Sequence, residues 1–111
     1  RQELLNQRIL MKDRILISEE SVPKFSSHVK LEFNKQREQW VVLAPEKLMV
    51  PDETSVAILK FCDGKSTIRG IVDKLTAQYK AKREVISRDV TGLIQDLADK
   101  GFMVTVNEGQ D

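Results

Sequence analysis

Two side chains of this sequence could serve as a nucleophile and its base, and they are its single cysteine and its single histidine. Nucleophilic catalysis would require the Cys62 thiol and the His28 imidazole to meet. The residues around His28 predict an exposed strand position, whereas Cys62 falls on the apolar side of a predicted buried helix. A thiol in the core is inert, because reactive cysteines need an accessible, electropositive surrounding. We therefore expect no catalytic set and no enzymatic activity.

The residue patterns for metal and phosphate chemistry are also missing. One histidine and one cysteine are too few for a zinc site, and the carboxylates near Asp52 and Asp63 do not have the spacing of a calcium loop. The sequence contains no glycine-rich phosphate loop. Asp96 and Asp99 lie three residues apart on a predicted helix surface, where solvated charges are the simplest interpretation. The sequence predicts neither a metal ion nor a cofactor.

The composition limits the partners. The 111 residues carry 18 Lys and Arg against 17 Asp and Glu, a net charge of +1, whereas nucleic-acid binders have a clear basic excess. No apolar run approaches the ~20 residues that span a bilayer. A single cysteine excludes an internal disulfide and fits a reducing compartment. We expect a cytoplasmic protein that binds neither nucleic acid nor membrane.

Alternating polar and apolar residues predict a small antiparallel sheet that needs helical cover to be stable. Its three predicted strands are His28–Phe33, Trp40–Leu43 and Lys47–Val50. In the first strand Val29, Leu31 and Phe33 are expected to face inward.

Three helices are predicted after the sheet. The first starts after Asp52 and stops at Asp63–Gly64. The second starts after Ser66 or Thr67 and ends near Tyr79, and the third runs from about Arg83 to Lys100, before Gly101. Phe102–Val106 is expected to be a short strand or an extended segment on the core. This order predicts an α+β fold, winged helix-turn-helix-like, with a three-stranded antiparallel sheet followed by three helices.

The domain is expected to span residues 22–106, with a tail or linker at 1–21 and a short tail at 107–111. Apolar residues within 1–21 scatter around a helical wheel, which favours a flexible or partner-dependent extension that is helical at most over Gln2–Lys12. Because the chain begins with Arg1, a trimmed chain, a processed product and part of a fusion all remain open.

The strand Lys47–Val50 comes last in the predicted sheet, so its outer edge is expected to be unpaired unless the third helix or a tail covers it. An extended peptide can add a strand to such an edge. Gly92 is a second indication, because glycine within a helix costs about 1 kcal/mol relative to alanine. It indicates either the close approach of another backbone or tight packing on a neighbouring helix. Met49 suits an adaptable groove or the core equally well.

Two alternatives from other classes stay open at this point. A winged-helix DNA-binding module would use the third helix, but that helix holds three basic residues against four acidic ones, which disfavours phosphate contact. A purely structural domain of a larger fused enzyme is the other alternative.

Several segments, in this order and spacing, resemble the PqqD family of pyrroloquinoline quinone (PQQ) biosynthesis. They are Val22–Lys24, Trp40–Glu46, Leu48–Val50, Cys62–Gly64, Asp89–Val90 and Gln95–Gly101. The resemblance covers roughly residues 22–104 and leaves residues 1–21 without a counterpart.

The resemblance implies a non-catalytic peptide chaperone that binds the leader of the precursor peptide PqqA by β-augmentation and presents it to the radical SAM enzyme PqqE. In this fold type the leader pairs with the third strand and lies against the third helix, whereas Trp40 and Asp63–Gly64 are expected to serve folding. The open edge would equally allow a homodimer. The expected peptide contacts are Lys47, Leu48, Met49, Val50, Val85, Asp89, Gly92, Leu93 and Asp96.

Overall fold

The computed structural model describes residues 15–106. The strands are β1 (Pro23–Phe25), β2 (Lys30–Asn34), β3 (Gln39–Ala44), β4 (Lys47–Met49) and β5 (Met103–Thr105). The helices are α1 (Glu53–Leu59), α2 (Ile68–Tyr79) and α3 (Arg83–Asp99). The tail at 107–111 and the helix expected over Gln2–Lys12 lie outside the described residues.

The strands form two separate antiparallel sheets. The larger has the order β2-β3-β4, which confirms the predicted three-stranded sheet. The smaller is a ribbon of β1 and β5, in which Pro23 pairs with Thr105 and Phe25 with Met103. The ribbon settles the two interpretations of the closing segment, since Met103–Thr105 is a strand. Its partner β1 was not predicted.

The helix starts follow from local hydrogen bonds. The Asp52 carboxylate accepts the Ser55 N–H at 2.8 Å at the start of α1, and the Thr67 hydroxyl accepts the Gly70 N–H at 3.0 Å at the start of α2. These are N-caps, which satisfy N–H groups that lack a partner inside the helix. Lys80 ends α2 in a left-handed conformation with φ of 56°, so that α3 can turn back against α2.

One core holds the two sheets and three helices together. Its centre is a cluster of apolar side chains with little or no exposure, to which α2 and α3 contribute most residues. The fully buried members include Val42, Ile71, Val72, Ile94 and Met103. The core therefore ties β3, α2, α3 and β5 into one unit, while β4 contributes only the partly buried Met49.

Residues 15–21 contact α2 and α3, and we call this segment the N-terminal strap. The Ser21 carbonyl accepts the Ile68 N–H at 2.8 Å, and the Glu19 carbonyl accepts the Arg69 N–H at 2.9 Å. Both donors belong to the first turn of α2, so the strap satisfies N–H groups that α2 itself cannot. The strap lies on the domain, and the expected boundary at residue 21 stays a prediction.

Three local expectations were wrong. His28 is not on a strand but in a turn before β2, with φ of 67°. Phe33 was expected to face the core, yet it is 42% exposed, because it lies at the outer end of β2 and packs edge-on against Trp40 at 5.4 Å between ring centroids. The third strand ends at Met49 rather than Val50, since the next bonded pair of the ladder would need an N–H from Pro51, which has none.

Candidate functional site

The outer edge of β4 has no strand partner among residues 15–106, because β4 is last in its sheet and β5 pairs with β1. The pairing of Ala44 with Lys47 brackets a two-residue turn. If Ala44 and Lys47 were a non-bonded pair, the ladder would need a hydrogen bond from the Pro45 N–H, and proline has none. Ala44 and Lys47 are therefore a bonded pair, in which each N–H donates to the carbonyl of the other residue. Bonded and non-bonded pairs alternate along an antiparallel ladder. The N–H and C=O of Leu48 therefore point away from β3, towards the open edge.

The side chains of this edge are apolar and accessible. Leu48 is 61% exposed and Val50 is 53% exposed, and Lys47 is exposed beside them. Met49 points the other way and packs against the core. A peptide on this edge would meet the outward backbone groups of Leu48 and the exposed side chains of Lys47, Leu48 and Val50.

The α3 helix turns one side to the core and leaves two flanks. Val90, Ile94 and Leu97 are fully buried and define the core side. The strap occupies one flank: the Gln95 side-chain amide accepts the Ile17 N–H at 2.9 Å and donates to the Ile15 carbonyl at 2.7 Å. We call the opposite side the open flank, and it bears Val85, Asp89, Leu93 and Asp96.

The four residues of the open flank differ in exposure. Val85 is 45% exposed, whereas Leu93 is half-buried and packs against the same core cluster as Met49 of β4. The Asp89 side chain borders a small apolar cleft between α1, α2 and α3. Asp96 forms an ion pair with Lys100 at 3.0 Å. Met49 of β4 and Leu93 of the open flank thus pack on the same core cluster, and whether β4 and the open flank form the two walls of one peptide groove stays a prediction.

Gly92 lies farther out than the open flank, on the side of α3 away from the core. A Cβ added there would meet nothing within 4 Å among the described residues. The interpretation of Gly92 as a packing site for a neighbouring helix is therefore wrong for residues 15–106. The approach of a visiting backbone stays a prediction.

The side chains that could do chemistry are dispersed. Cys62 is buried, and burial first, with the nearby Asp63 carboxylate second, raises the pKa of its thiol to about 12. The expectation that Cys62 lies on the first helix was wrong, because α1 ends at Leu59 rather than at Asp63–Gly64. The Cys62 Sγ donates to the Ile58 carbonyl of α1 at 3.6 Å. The predicted core position of the Cys62 thiol is confirmed, and its lack of reactivity stays a prediction. His28 is exposed in its turn, away from Cys62 in the core.

Within residues 15–106, no helix is both long and apolar enough to cross a membrane.

The Glu19 side chain binds the strap to both long helices. Its carboxylate accepts hydrogen bonds from Arg83 at 3.0 and 3.1 Å and from the Ser87 hydroxyl at 2.7 Å. Arg69 of α2 lies 3.3 Å away. The hydrogen bonds from Arg83, and then that from Ser87, lower the pKa of Glu19 from its ordinary 4.5 to about 2. Sequence patterns missed this cluster, because its partners are 50 to 68 residues away.

Glu19→Gln is expected to lower the thermal unfolding midpoint at pH 7, because the neutral amide loses the charge-assisted hydrogen bonds. The pKa of Glu19 is lower in the folded chain than in the unfolded one, so its stabilisation is present above about pH 4.5 and disappears as the pH falls towards 2. Unfolding midpoints measured from pH 7 to pH 2 should therefore converge for the variant and the parent. Glu20→Gln is the matched control, since among residues 15–106 the Glu20 carboxylate pairs with Arg69 alone; an equal effect at Glu20 would contradict the assignment.

Comparison with known proteins decides the family. The family model "Coenzyme PQQ synthesis protein D (PqqD)" matches residues 39–103. A protein from Rhodopseudomonas palustris (strain TIE-1) named "PqqA binding protein" is 46% identical over 95 residues, which cover 86% of this chain and 93% of that relative. The chain belongs to the PqqD family. The matched residues run from the start of β3 to the start of β5, so they include β4 and α3 but not the strap.

Solved structures support the same PqqD fold. The chain superimposes with a TM-score of 0.69 and 33% identity on the solution structure of the PqqD truncation of Methylobacterium extorquens PqqCD, over 79% of this chain and 94% of that one. That domain is described as a functional, stand-alone recognition element for ribosomally synthesized and post-translationally modified peptides (RiPPs). The bifunctional PQQ synthesis protein C/D of Methylorubrum extorquens is 35% identical over 79 residues, which cover 71% of this chain and 21% of that longer protein. The α+β prediction and the PqqD resemblance are confirmed.

Proposed function

We propose that this PqqD-family chain is a non-catalytic peptide chaperone of PQQ biosynthesis in the cytoplasm. It binds the leader of the precursor peptide PqqA by strand addition to β4 and presents it to the radical SAM enzyme PqqE. The observation that carries the proposal is the outer edge of β4, which has no strand partner among residues 15–106. Relatives named for PqqA binding and the recognition-element description of the matched structure support the choice of ligand.

Strand addition alone is too weak to explain useful affinity. The Leu48 N–H and C=O provide two ladder hydrogen bonds, which contribute about 1–3 kcal/mol together, whereas a micromolar complex requires about 8 kcal/mol. Burying apolar surface at about 25 cal/mol per Å² would supply the remaining 5–7 kcal/mol from roughly 200–280 Å² as a minimum, because the entropy lost on association requires further buried surface. The exposed side chains of Leu48, Val50 and Val85 offer such surface. The ladder therefore sets register and orientation, and side-chain contacts supply most of the affinity.

The proposed peptide contacts form two walls. The β4 wall fixes the leader backbone, and the α3 wall packs against its side chains. Asp89 and Asp96 give the α3 wall acidic groups, although Lys100 partly neutralises Asp96. The proposed contact residues are Lys47, Leu48, Met49 and Val50 on β4 and its extension, and Val85, Asp89, Gly92, Leu93 and Asp96 on α3.

Presentation to the enzyme would act through proximity. A leader held on the domain places the rest of the precursor near a bound enzyme at an effective concentration on the order of mM for a short tether. The bond-making chemistry then belongs to PqqE, and this chain contributes binding and orientation. The buried Cys62 thiol, with its raised pKa, takes no part in that chemistry.

An amide-resolved NMR titration with a synthetic PqqA leader peptide tests the proposal. We expect saturable shifts that cluster at residues 48–50 and 85–96, and a ternary complex that co-elutes when PqqE is added. A leader of scrambled sequence is the control. Saturable binding with shifts confined to the strap flank of α3, or no binding at all, would contradict the proposal. Shifts at β4 that depend on chain concentration without peptide would instead indicate a homodimer through the same edge.

A further inference from the structure

Most of the aromatic side chains outside the centre of the core collect at one place on the surface. Trp40, Phe61 and Tyr79 line a groove of about 700 Å³, and Phe33 contacts Trp40 from outside the groove. Tyr79 is 51% exposed, while Trp40 and Phe61 are half-buried. Aromatic side chains that remain partly accessible around one groove are typical of interface anchors, because they bury much area at a low entropic cost.

Polar side chains surround this groove, which we call the aromatic groove. The Lys60 ammonium lies 4.6 Å from the centroid of the Trp40 ring. Glu38, Glu53 and Gln78 complete the border. Lys60 is exposed, so its long side chain can move aside at low cost and leave the Trp40 face accessible. An aromatic centre with a charged border is the usual composition of a protein or peptide interface.

The aromatic groove is continuous with the proposed peptide site. Pro51, the second residue after β4, lines the groove. Thr54, Ala57 and Tyr79 line both the groove and the apolar cleft that borders Asp89. A peptide paired with β4 and packed on the open flank of α3 would therefore reach the groove as it continues past Val50.

The short length of β4 gives a reason for the peptide to continue. Only Lys47–Met49 are in strand conformation, and only Leu48 among them directs both backbone groups outward. An extended ligand held by so few hydrogen bonds needs further side-chain anchors to bind stably. The aromatic groove is a concave surface of about 700 Å³ next to the C-terminal end of the strand, and another of about 680 Å³ lies by the turn at its N-terminal end.

We propose, on the basis of the proposed function, that the aromatic groove is a second subsite for the same peptide. It takes a bulky apolar side chain from the segment that lies beyond the residues paired with β4. Trp40 and Tyr79 form the walls that contact this side chain, and the Lys60 ammonium moves off the Trp40 ring as it enters. This assigns Trp40 to binding as well as to folding.

The single tryptophan makes the subsite directly observable, because the labelled chain has one indole N–H signal and an unlabelled leader peptide adds none. We expect the Trp40 indole signal and the Leu48 amide signal to shift with the same dissociation constant. Peptides shortened at the end that would reach the aromatic groove should lose the Trp40 indole shift but keep the Leu48 amide shift. Tyr79→Ala should weaken binding at least about tenfold, as for an interface hot spot, and the matched variant Tyr79→Phe should bind like the parent.

Failure of the aromatic subsite and failure of leader binding at β4 would give different results in these experiments. Shifts at Leu48 with a fixed indole signal and parental affinity for Tyr79→Ala would overturn the subsite and leave leader binding at β4 intact. Loss of both responses would overturn leader binding itself and the subsite with it. An indole signal that moves with chain concentration alone, or only on addition of PqqE, would assign the groove to a second copy or to the enzyme, and would overturn the peptide subsite.

Discussion

Leu48→Pro is expected to weaken leader binding by at least about tenfold while the domain stays folded. Proline removes the Leu48 N–H that points to the open edge and puts its ring where the added strand must pair. Losing one or two ladder bonds at about 0.5–1.5 kcal/mol each corresponds to roughly two- to 150-fold in affinity, and steric exclusion by the ring adds to this. Isothermal titration calorimetry measures the change, and circular dichroism checks the helices.

The neighbouring position shows why Leu48 is the informative residue. Met49 pairs with Val42 and directs its N–H towards β3, so a proline there would break the hairpin itself. Leu48→Ala is the matched control: it keeps the N–H and removes only the exposed side chain, so its loss of affinity should be smaller. Unchanged affinity for Leu48→Pro would rule out strand addition at β4.

Met103→Ala is expected to lower the free energy of unfolding by about 2–5 kcal/mol, the range for truncating a long, fully buried side chain. Met103 has no exposed surface and belongs to the core cluster that α2 and α3 share. Chemical denaturation measures the loss. Val104→Ala on the same strand is the matched control, because Val104 is only partly buried. A loss below about 1 kcal/mol for Met103→Ala would mean that the β1–β5 ribbon does not close the core.

The helices and the main sheet were predictable because their patterns are local. Asp52, Thr67 and Gly101 mark helix ends through short-range hydrogen bonds or a positive φ, and the apolar spacing within α2 and α3 repeats over several turns. The β1 strand had no such signal. It has three residues, one of them proline, and its partner β5 is about 80 positions away in the sequence.

Which flank of α3 stays uncovered also depends on contacts between residues far apart in the sequence. Periodicity identifies the core side of a helix, but it cannot tell which flank another segment covers. Among the described residues, the strap covers one flank of α3, because Gln95 binds the Ile17 N–H and Glu19 binds the Ser87 hydroxyl. The open flank that remains is the one favoured from the sequence, and its role in peptide binding stays a prediction.

The aromatic groove was not visible in the sequence either. Trp40 lies on β3, Phe61 follows α1, and Tyr79 ends α2, and each is separated from the next by about 20 residues. Only the tertiary fold places these three residues around one groove. A site built from three elements in this way leaves no motif.

Hydrogen exchange at the Leu48 N–H tests strand addition most directly. The account predicts that this N–H exchanges rapidly in the free chain and at least about tenfold more slowly when the leader is saturating, because it then donates to the added strand. The Met49 N–H, which bonds to β3, should be protected in both states. Unchanged, rapid exchange at Leu48 with the leader fully bound would contradict the account.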